Sequence, residues 1–508
     1  MPSEADELID YHALLPEIIL AVTVLAVLAT DLVTKDKYYA AVVGMAGLFA
    51  TMIPLLTLAL CDDLAGCSGE LPRVLFGGTY VVDQYAVVLK AVFVFAAFIA
   101  LLLAVTYLES DRYYEGEFYF LLLAAALGGV VMSSSRDFLT LIIGLELVSG
   151  PGFLLAGWRK GDERSNEAAL KFFIIGVTGL ALLLMGVSLV YGITGTQLFA
   201  ELATTPQAIV DEPVFALGLL FVLLGFTFKI SAVPFHVWTP DVYEGAPTPV
   251  GAWLSVGSKT AGFVGLLTVC YLAFPQVSNL WGPALWLAAI LSMTVGNFVA
   301  IQQTNVVRLL GYSSIAQAGF ILAPFGAAAA AGADLQQAFA ASVTYLVIYA
   351  VMNLGAFGVV IAVAARLKSY ELADWSGMYR WSAGLAILVG AFFLSLAGIP
   401  PLAGWFAKVA MFSATIAVGD AWGYSIAVVA AVNTVVALVY YTKVVKTAFF
   451  DPVPDTIDVA ALEGMDVAPP MQLALGITAV LVLVLGVFPG LVSTLAQYSS
   501  EVVTAVGL

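Results

Sequence analysis

Apolar runs of eighteen or more residues recur along almost the whole of this chain, separated only by short polar stretches. A backbone crossing hydrocarbon must bond every N–H and C=O within the segment or its neighbours, so such runs are read as membrane helices. Reading them in order predicts about fourteen spans. They lie at 13–33, 38–60, 84–108, 116–133, 136–158, 164–194, 213–238, 249–273, 281–303, 305–324, 336–366, 383–418, 421–446 and 469–495. Composition agrees, since 62% of the 508 residues are hydrophobic and only 11% are charged. The expectation is an all-α integral membrane protein, in contact with a lipid bilayer and forming a single membrane domain over 1–508.

Charge tests the count, because a wrong number of crossings would scatter the cations over both sides. Of the nineteen Lys and Arg, twelve fall in or beside one set of alternate loops: Lys35, Lys37, Arg112, Arg159, Lys160, Arg164, Arg308, Arg366, Lys368, Arg380, Lys443 and Lys446. Only Arg73 and Arg136 fall on the other side. The split supports the count and predicts both termini on the outer side of the cell (inner) membrane. The first twelve residues carry four acids and no Lys or Arg, so the first apolar run reads as a retained helix. A net charge of −16 argues against nucleic acid as a partner. Cys61, Cys67 and Cys270 show no metal-ligand spacing, and Cys61 and Cys67 share one loop where a disulfide or two free thiols are both open. Gly326 to Ala333 and Asp451 to Asp466 read as loops.

Five lysines remain inside apolar segments: Lys90, Lys171, Lys229, Lys259 and Lys408. Glu146 joins them at the middle of the fifth span. Each buried charge costs about 3 kcal/mol at a helix centre, so Glu146, Lys171, Lys229, Lys259 and Lys408 together cost on the order of 15 kcal/mol, comparable with the net stability of a whole protein. Lys90, near the outer end of its span, is expected to snorkel. For the deeper groups a relay of protons between lysines and water is the functional reading. A carboxylate and an ammonium about 4 Å apart interact by roughly 4 kcal/mol at an effective dielectric near 20, about three pKa units at 1.36 kcal/mol per unit. Moving Glu146 relative to Lys171 or Lys229 would therefore switch proton affinity.

Two spans are interrupted. In FKISAVPFHVWTPDVYEGAPTP, Phe228 to Pro249, Pro234 removes a backbone donor five residues after Lys229, and His236 follows. In SLAGIPPLAGWFAK, Ser395 to Lys408, Pro400 and Pro401 precede the lysine. The breaks are five spans apart, an odd number, so the broken helices run in opposite directions, as in inverted-topology repeats. The expected organisation is three N-terminal helices in 1–115, a first repeat of helices 4–8 in 116–273, a second of helices 9–13 in 281–450, and a last helix at 469–495. Helices 7 and 12 are discontinuous. Interrupted segments at matching positions point to a transport pathway. His236 adds a group whose pKa suits a shuttle.

The segment KISAVPFHVWTPDVYEGAPTPV, with ALKFF before it and SKTAGF, RLLGYSSIAQAGF and GIPPLAGWFAK after it, closely resembles the antiporter-like subunits of proton-pumping NADH:quinone oxidoreductase, respiratory complex I. The resemblance covers nearly the whole chain. It implies that Glu146, Lys171, Lys229, Lys259 and Lys408 are buried proton-channel residues and that His236 is the histidine connecting them. It implies partners: the other membrane subunits, and a hydrophilic arm that carries FMN, iron–sulfur clusters and the NADH site, with quinone as the substrate of the complex. No cofactor is expected in this chain, which has no GxGxxG and no P-loop. Gln317 stands where some relatives have a histidine.

Three functions are compatible with these residues. The first is a proton-channel subunit of a redox-driven pump, with NADH, reduced F420 or ferredoxin as the donor. The second is a subunit of a multi-subunit cation/proton antiporter, and the third is a scaffold whose buried charges only hold helices together.

Overall fold

The computed structural model describes residues 9–60, 71–109, 115–455, 457–462 and 466–492, so Cys61 and Cys67 lie outside the described residues. Among the described residues fourteen candidate spans are present, in the predicted order. Twelve are helices long and apolar enough to cross a membrane alone, from Tyr11–Val33 to Pro469–Val487. The other two are the broken ones. Span 7 is Pro213–Lys229 followed by Trp238–Gly245, and span 12 is Ala383–Ala397 followed by Ala403–Ala417. Spans 8 (Thr248–Ala273), 10 (Val306–Ala331) and 11 (Gln336–Leu367) are buried almost all round and form the centre of the bundle.

Polar residues mark the helix starts, because the first N–H groups have no partner within the helix. Asp137 accepts from Thr140 N, Asn305 from Val307 N and Arg308 N, and Asp420 from Gly423 N. Span 10 runs to Ala331, so most of the predicted loop at Gly326 to Ala333 is helical. Alanine is the best helix former, and this stretch packs on span 9 so closely that a Cβ on Gly282 would lie 2.4 Å from Ala330 N. The helix stops at Gly332, where φ is +66°. The predicted loop from Asp451 to Asp466 contains one short helix, Val459–Leu462.

The inverted repeat is visible bond by bond. Gly128 of span 4 crosses span 5 so closely that a Cβ would lie 2.7 Å from Gly144 O and from Val148 N. At the matching place in the second half, Gly296 of span 9 crosses span 10, and its Cβ would lie 2.6 Å from Ala316 N and 2.8 Å from Tyr312 O. Span 5 begins with Phe138 N donating to Gln197 O and Phe199 N to Arg136 O; span 10 begins with Val306 N donating to Tyr370 O and Leu372 N to Thr304 O. Each half thus anchors its second helix to the segment that follows its third. Small residues are what let two helix backbones approach this closely in lipid.

A further expectation is overturned. Lys90 does not snorkel: it is fully buried, with Nζ 2.6 Å from Glu17 Oε1 and over the Tyr80 ring. Tyr80 donates to the same carboxylate oxygen at 2.6 Å. A short hairpin, Arg73–Leu75 with Tyr80–Val82, carries the tyrosine over this end of the bundle. The Glu17 side chain from span 1 supplies the opposite charge that the sequence did not place beside Lys90, and the pair removes the need to reach water. Breaking one partner of such a pair strands the other, whereas replacing both is nearly neutral. Lys90→Met is expected to destabilise the solubilised protein by about 3–5 kcal/mol, and Lys90→Met with Glu17→Gln by much less; thermal unfolding in detergent measures the difference.

Candidate functional site

The two broken spans share one hydrogen-bond scheme. In span 7, Ser231 N donates to Phe228 O at 3.0 Å, Ala232 N to Thr227 O at 2.9 Å, and Phe235 N to Ala232 O at 2.7 Å. In span 12, Gly398 N donates to Ser395 O at 2.9 Å, Ile399 N to Leu394 O at 3.0 Å, and Leu402 N to Ile399 O at 3.1 Å. The turning residue is left-handed in both, Ser231 at φ +62° and Gly398 at φ +90°. In span 12 a continued helix would use the N–H of residues 400 and 401 to satisfy Leu396 O and Ala397 O, and prolines have none. Those two carbonyls take other donors: the Gln317 amide reaches Leu396 O at 3.3 Å, and the Lys408 ammonium reaches Ala397 O at 2.8 Å.

The three deep lysines are all solvated by neutral oxygens. Lys229 donates to Ser149 Oγ at 2.7 Å, Lys259 to Ser314 O at 2.7 Å and Ser314 Oγ at 3.1 Å, and Lys408 to Ala397 O. Aromatic faces add a weaker attraction, with Phe172 beneath Lys229 and Phe320 beneath Lys408. Among the described residues no carboxylate is ion-paired with any of the three. Lys259 follows a π-helical turn, Leu254–Ser258, a distortion that recurs at functional positions in helices.

Glu146 is half-buried and lines a small cavity of about 10 Å³ with Ser149, Lys229, Gly176 and Gly179. That volume is close to what one water occupies. Lys171 is seated elsewhere. Its ammonium lies 2.6 Å from Asp241 and 2.7 Å from Glu167, its side chain is 39% exposed, and Arg308 closes the cluster on Asp241 and Glu244. This cluster lines an open cavity of about 250 Å³. Of the two partners expected for Glu146, Lys171 is held instead in a surface network joining both halves, while Lys229 shares the small cavity with the carboxylate. His236 lies in the break of span 7, half-buried, and its Nδ1 has no hydrogen-bond partner among the described residues.

Buried polar groups lie between Lys259 and Lys408, hydrogen-bonded in part but not in one continuous chain. Beside Ser314, Ser313 shares a hydrogen with Tyr441, Tyr441 receives one from Gln317 at 3.2 Å, and Gln317 accepts from Tyr345 at 2.7 Å and reaches the span 12 break. Lys229 packs on span 8 one turn beyond Lys259, where a Cβ on Gly262 would lie 3.0 Å from Lys229 Cβ; no hydrogen bond joins the two lysines. Ser149, Ser314, Tyr345 and Tyr441 were not singled out from the sequence. The one available signal was spacing: Ser149 follows Glu146 by three residues, which puts both on one helix face.

The sequence pattern described as "NADH:quinone oxidoreductase/Mrp antiporter, TM" matches residues 135–434, the stretch that holds both breaks and all of the deep lysines. The chain belongs to this antiporter-like membrane family. It is 38% identical, over 97% of its length and 94% of the relative's, to "NADH-quinone oxidoreductase subunit N 2" of Streptomyces griseus subsp. griseus. Among solved structures it resembles a chain of respiratory complex I from Thermus thermophilus with bound Aureothin, at 31% identity and TM-score 0.74, covering 95% of this chain and 99% of that one. A chain of the Mrp complex from Dietzia sp. DQ12-45-1b shares the fold, with TM-score 0.82 and 97% of each chain covered, at 20% identity.

In this member of the family Gly398 holds the left-handed turn next to the Lys408 chain. A Cβ there would lie 2.7 Å from Lys408 Cδ, in a conformation that costs an L-residue about 1–2 kcal/mol. Gly398→Ala is expected to lower the unfolding midpoint of the solubilised protein by about 2 °C or more, read by thermal unfolding.

Proposed function

We propose that this chain is the N-type proton-translocating membrane subunit of a NADH:quinone oxidoreductase, moving protons while quinone is reduced in partner subunits. The observation that carries the reading is the row of three buried ammoniums, Lys229, Lys259 and Lys408, held on hydroxyl and carbonyl oxygens, with a carboxylate, Glu146, sharing a cavity with Lys229 alone. A structural cation in a bilayer would be paired with an anion, as Lys90 is. Lys259 and Lys408, held only by dipoles, can each lose a proton to a neighbour without stranding an opposite charge, and at Lys229 the carboxylate of Glu146 is itself a group that can take the proton up. Two features of the wording support the N type: TPDVYEGAPTP at Thr239 to Pro249, and lysine rather than glutamate at position 408. The 38% identity to a subunit N supports the same assignment.

In this reading Glu146, Lys229, Lys259 and Lys408 are relay groups, and His236 lies at the first break as a shuttle. Lys171 acts at the charged cavity with Asp241 and Arg308. Moving one charge against 100 mV costs about 2.3 kcal/mol, so the driving energy comes from redox chemistry outside this chain. FMN, iron–sulfur clusters and the NADH site belong to the hydrophilic partner subunits. The chain is one membrane domain in the cell membrane, with both termini on the outer side. The likeness to the Mrp chain, at 20% identity, is one of fold.

The test is proton pumping by assembled complex in membrane vesicles, with deamino-NADH oxidation and a pH-gradient dye followed together. Lys229→Ala and Glu146→Ala are expected to lower acidification on the order of a hundredfold, the low end of what a lost proton-transfer group removes. Full acidification in both variants would refute the channel.

A further inference from the structure

The correspondence between halves is close enough to match residues by place. In the first half, Ser149 of span 5 reaches across to Lys229, the last helical residue before the break. The matching positions in the second half, counted from the shared anchors of span 5 with span 10 and of the two breaks, are Gln317 and Leu396. Gln317 does reach Leu396, through its carbonyl. The second half has no lysine at that place. Its lysine comes from the far side of the break, and the ammonium folds back onto Ala397 O, next to the carbonyl that Gln317 fills.

We infer that Gln317 is the positioning residue for Lys408, the counterpart in the second half of Ser149 in the first. The inference rests on the chain's being a proton-translocating subunit. Gln317 is fully buried and both ends of its amide are engaged. Oε1 accepts from the Tyr345 hydroxyl, while Nε2 donates to Tyr441 and to Leu396 O. By occupying Leu396 O, the amide leaves Ala397 O as the freed carbonyl open to the ammonium, and so fixes where Lys408 delivers or receives its proton. An amide does not titrate between pH 4 and 10, so it holds this geometry without competing for the proton. It also sets the direction of the tyrosine hydroxyls on the way to Ser313 and Lys259.

The experiment uses assembled complex in vesicles, with deamino-NADH oxidation and acidification measured together for Gln317→Met, Gln317→His, Tyr345→Phe and Lys408→Ala. Methionine keeps the volume and loses both hydrogen-bonding ends. Gln317→Met is expected to leave NADH oxidation running while acidification per NADH falls about tenfold, as when other orienting partners are lost. A neutral histidine accepts from Tyr345 and an imidazolium does not. Gln317→His is therefore expected to pump normally at high pH and to lose pumping only below about 6.5, the value of a free imidazole, a profile the parent lacks. The groups around this position are Lys259 from span 8, Tyr345 and Tyr349 from span 11, Lys408 from span 12, and Tyr440 and Tyr441 from span 13. The cations lower the pH of that loss and none of the neighbours is an anion that would raise it.

Normal acidification by Gln317→Met, or a Gln317→His profile identical to the parent, overturns the inference while loss in Lys408→Ala leaves the channel reading intact. Normal acidification by Lys408→Ala would instead count against that reading. If Gln317→Met fails to assemble, Tyr345→Phe decides: it removes one partner of the amide and keeps the ring, and unchanged pumping overturns the inference.

Discussion

An ammonium in hydrocarbon is tolerated only where oxygen atoms replace its water, and in span 12 that oxygen is a backbone carbonyl. Pro400 and Pro401 supply no N–H to the preceding turn, so the last carbonyls of Ala383–Ala397 are left without helical partners. They lie at the negative end of a half-helix, which favours a cation. Lys408 and Gln317 take those carbonyls. The break therefore creates the site, and the bundle around it exists to keep that exposed backbone away from lipid. Irregular backbone at membrane depth is permitted only under such cover.

The same break built twice in opposite directions gives one bundle two such places without a new fold for the second. Equivalence stops at the side chains. The first half carries Lys229 on the near side of its break, held by Ser149 and facing Glu146 across a cavity the size of a water. The second carries Lys408 on the far side, with its chain bent back. Along the sequence the two lysines lie on opposite sides of equivalent turns. In space both ammoniums end beside the half-helix that precedes the turn. Lys259, beyond the π-helical turn of span 8, stands between the halves and leans on span 10 of the second.

Much of this was legible in the sequence. Spans, breaks, the inverted relation and the deep lysines follow from apolar length, proline position and the cost of charge, which are properties of short stretches. The failures share a cause. Lys90 was misread because its partner, Glu17, is two spans away, and Lys171 because Asp241 reaches it from the second half of span 7. The Ala-rich end of span 10 was misread because its helix is secured by packing on span 9.

By itself the sequence determined that this chain crosses a membrane about fourteen times, that two crossings are broken, and that lysines lie near the breaks. Hydrophobic length and the missing proline donor act locally, so no neighbour is needed to see them. Only the tertiary structure decided which oxygen each ammonium rests on: Ser149 for Lys229, Ser314 for Lys259, Ala397 for Lys408. A hydrogen bond in the bilayer core depends on which helix faces which, and that is set by glycine crossings and buried packing among segments far apart in the chain.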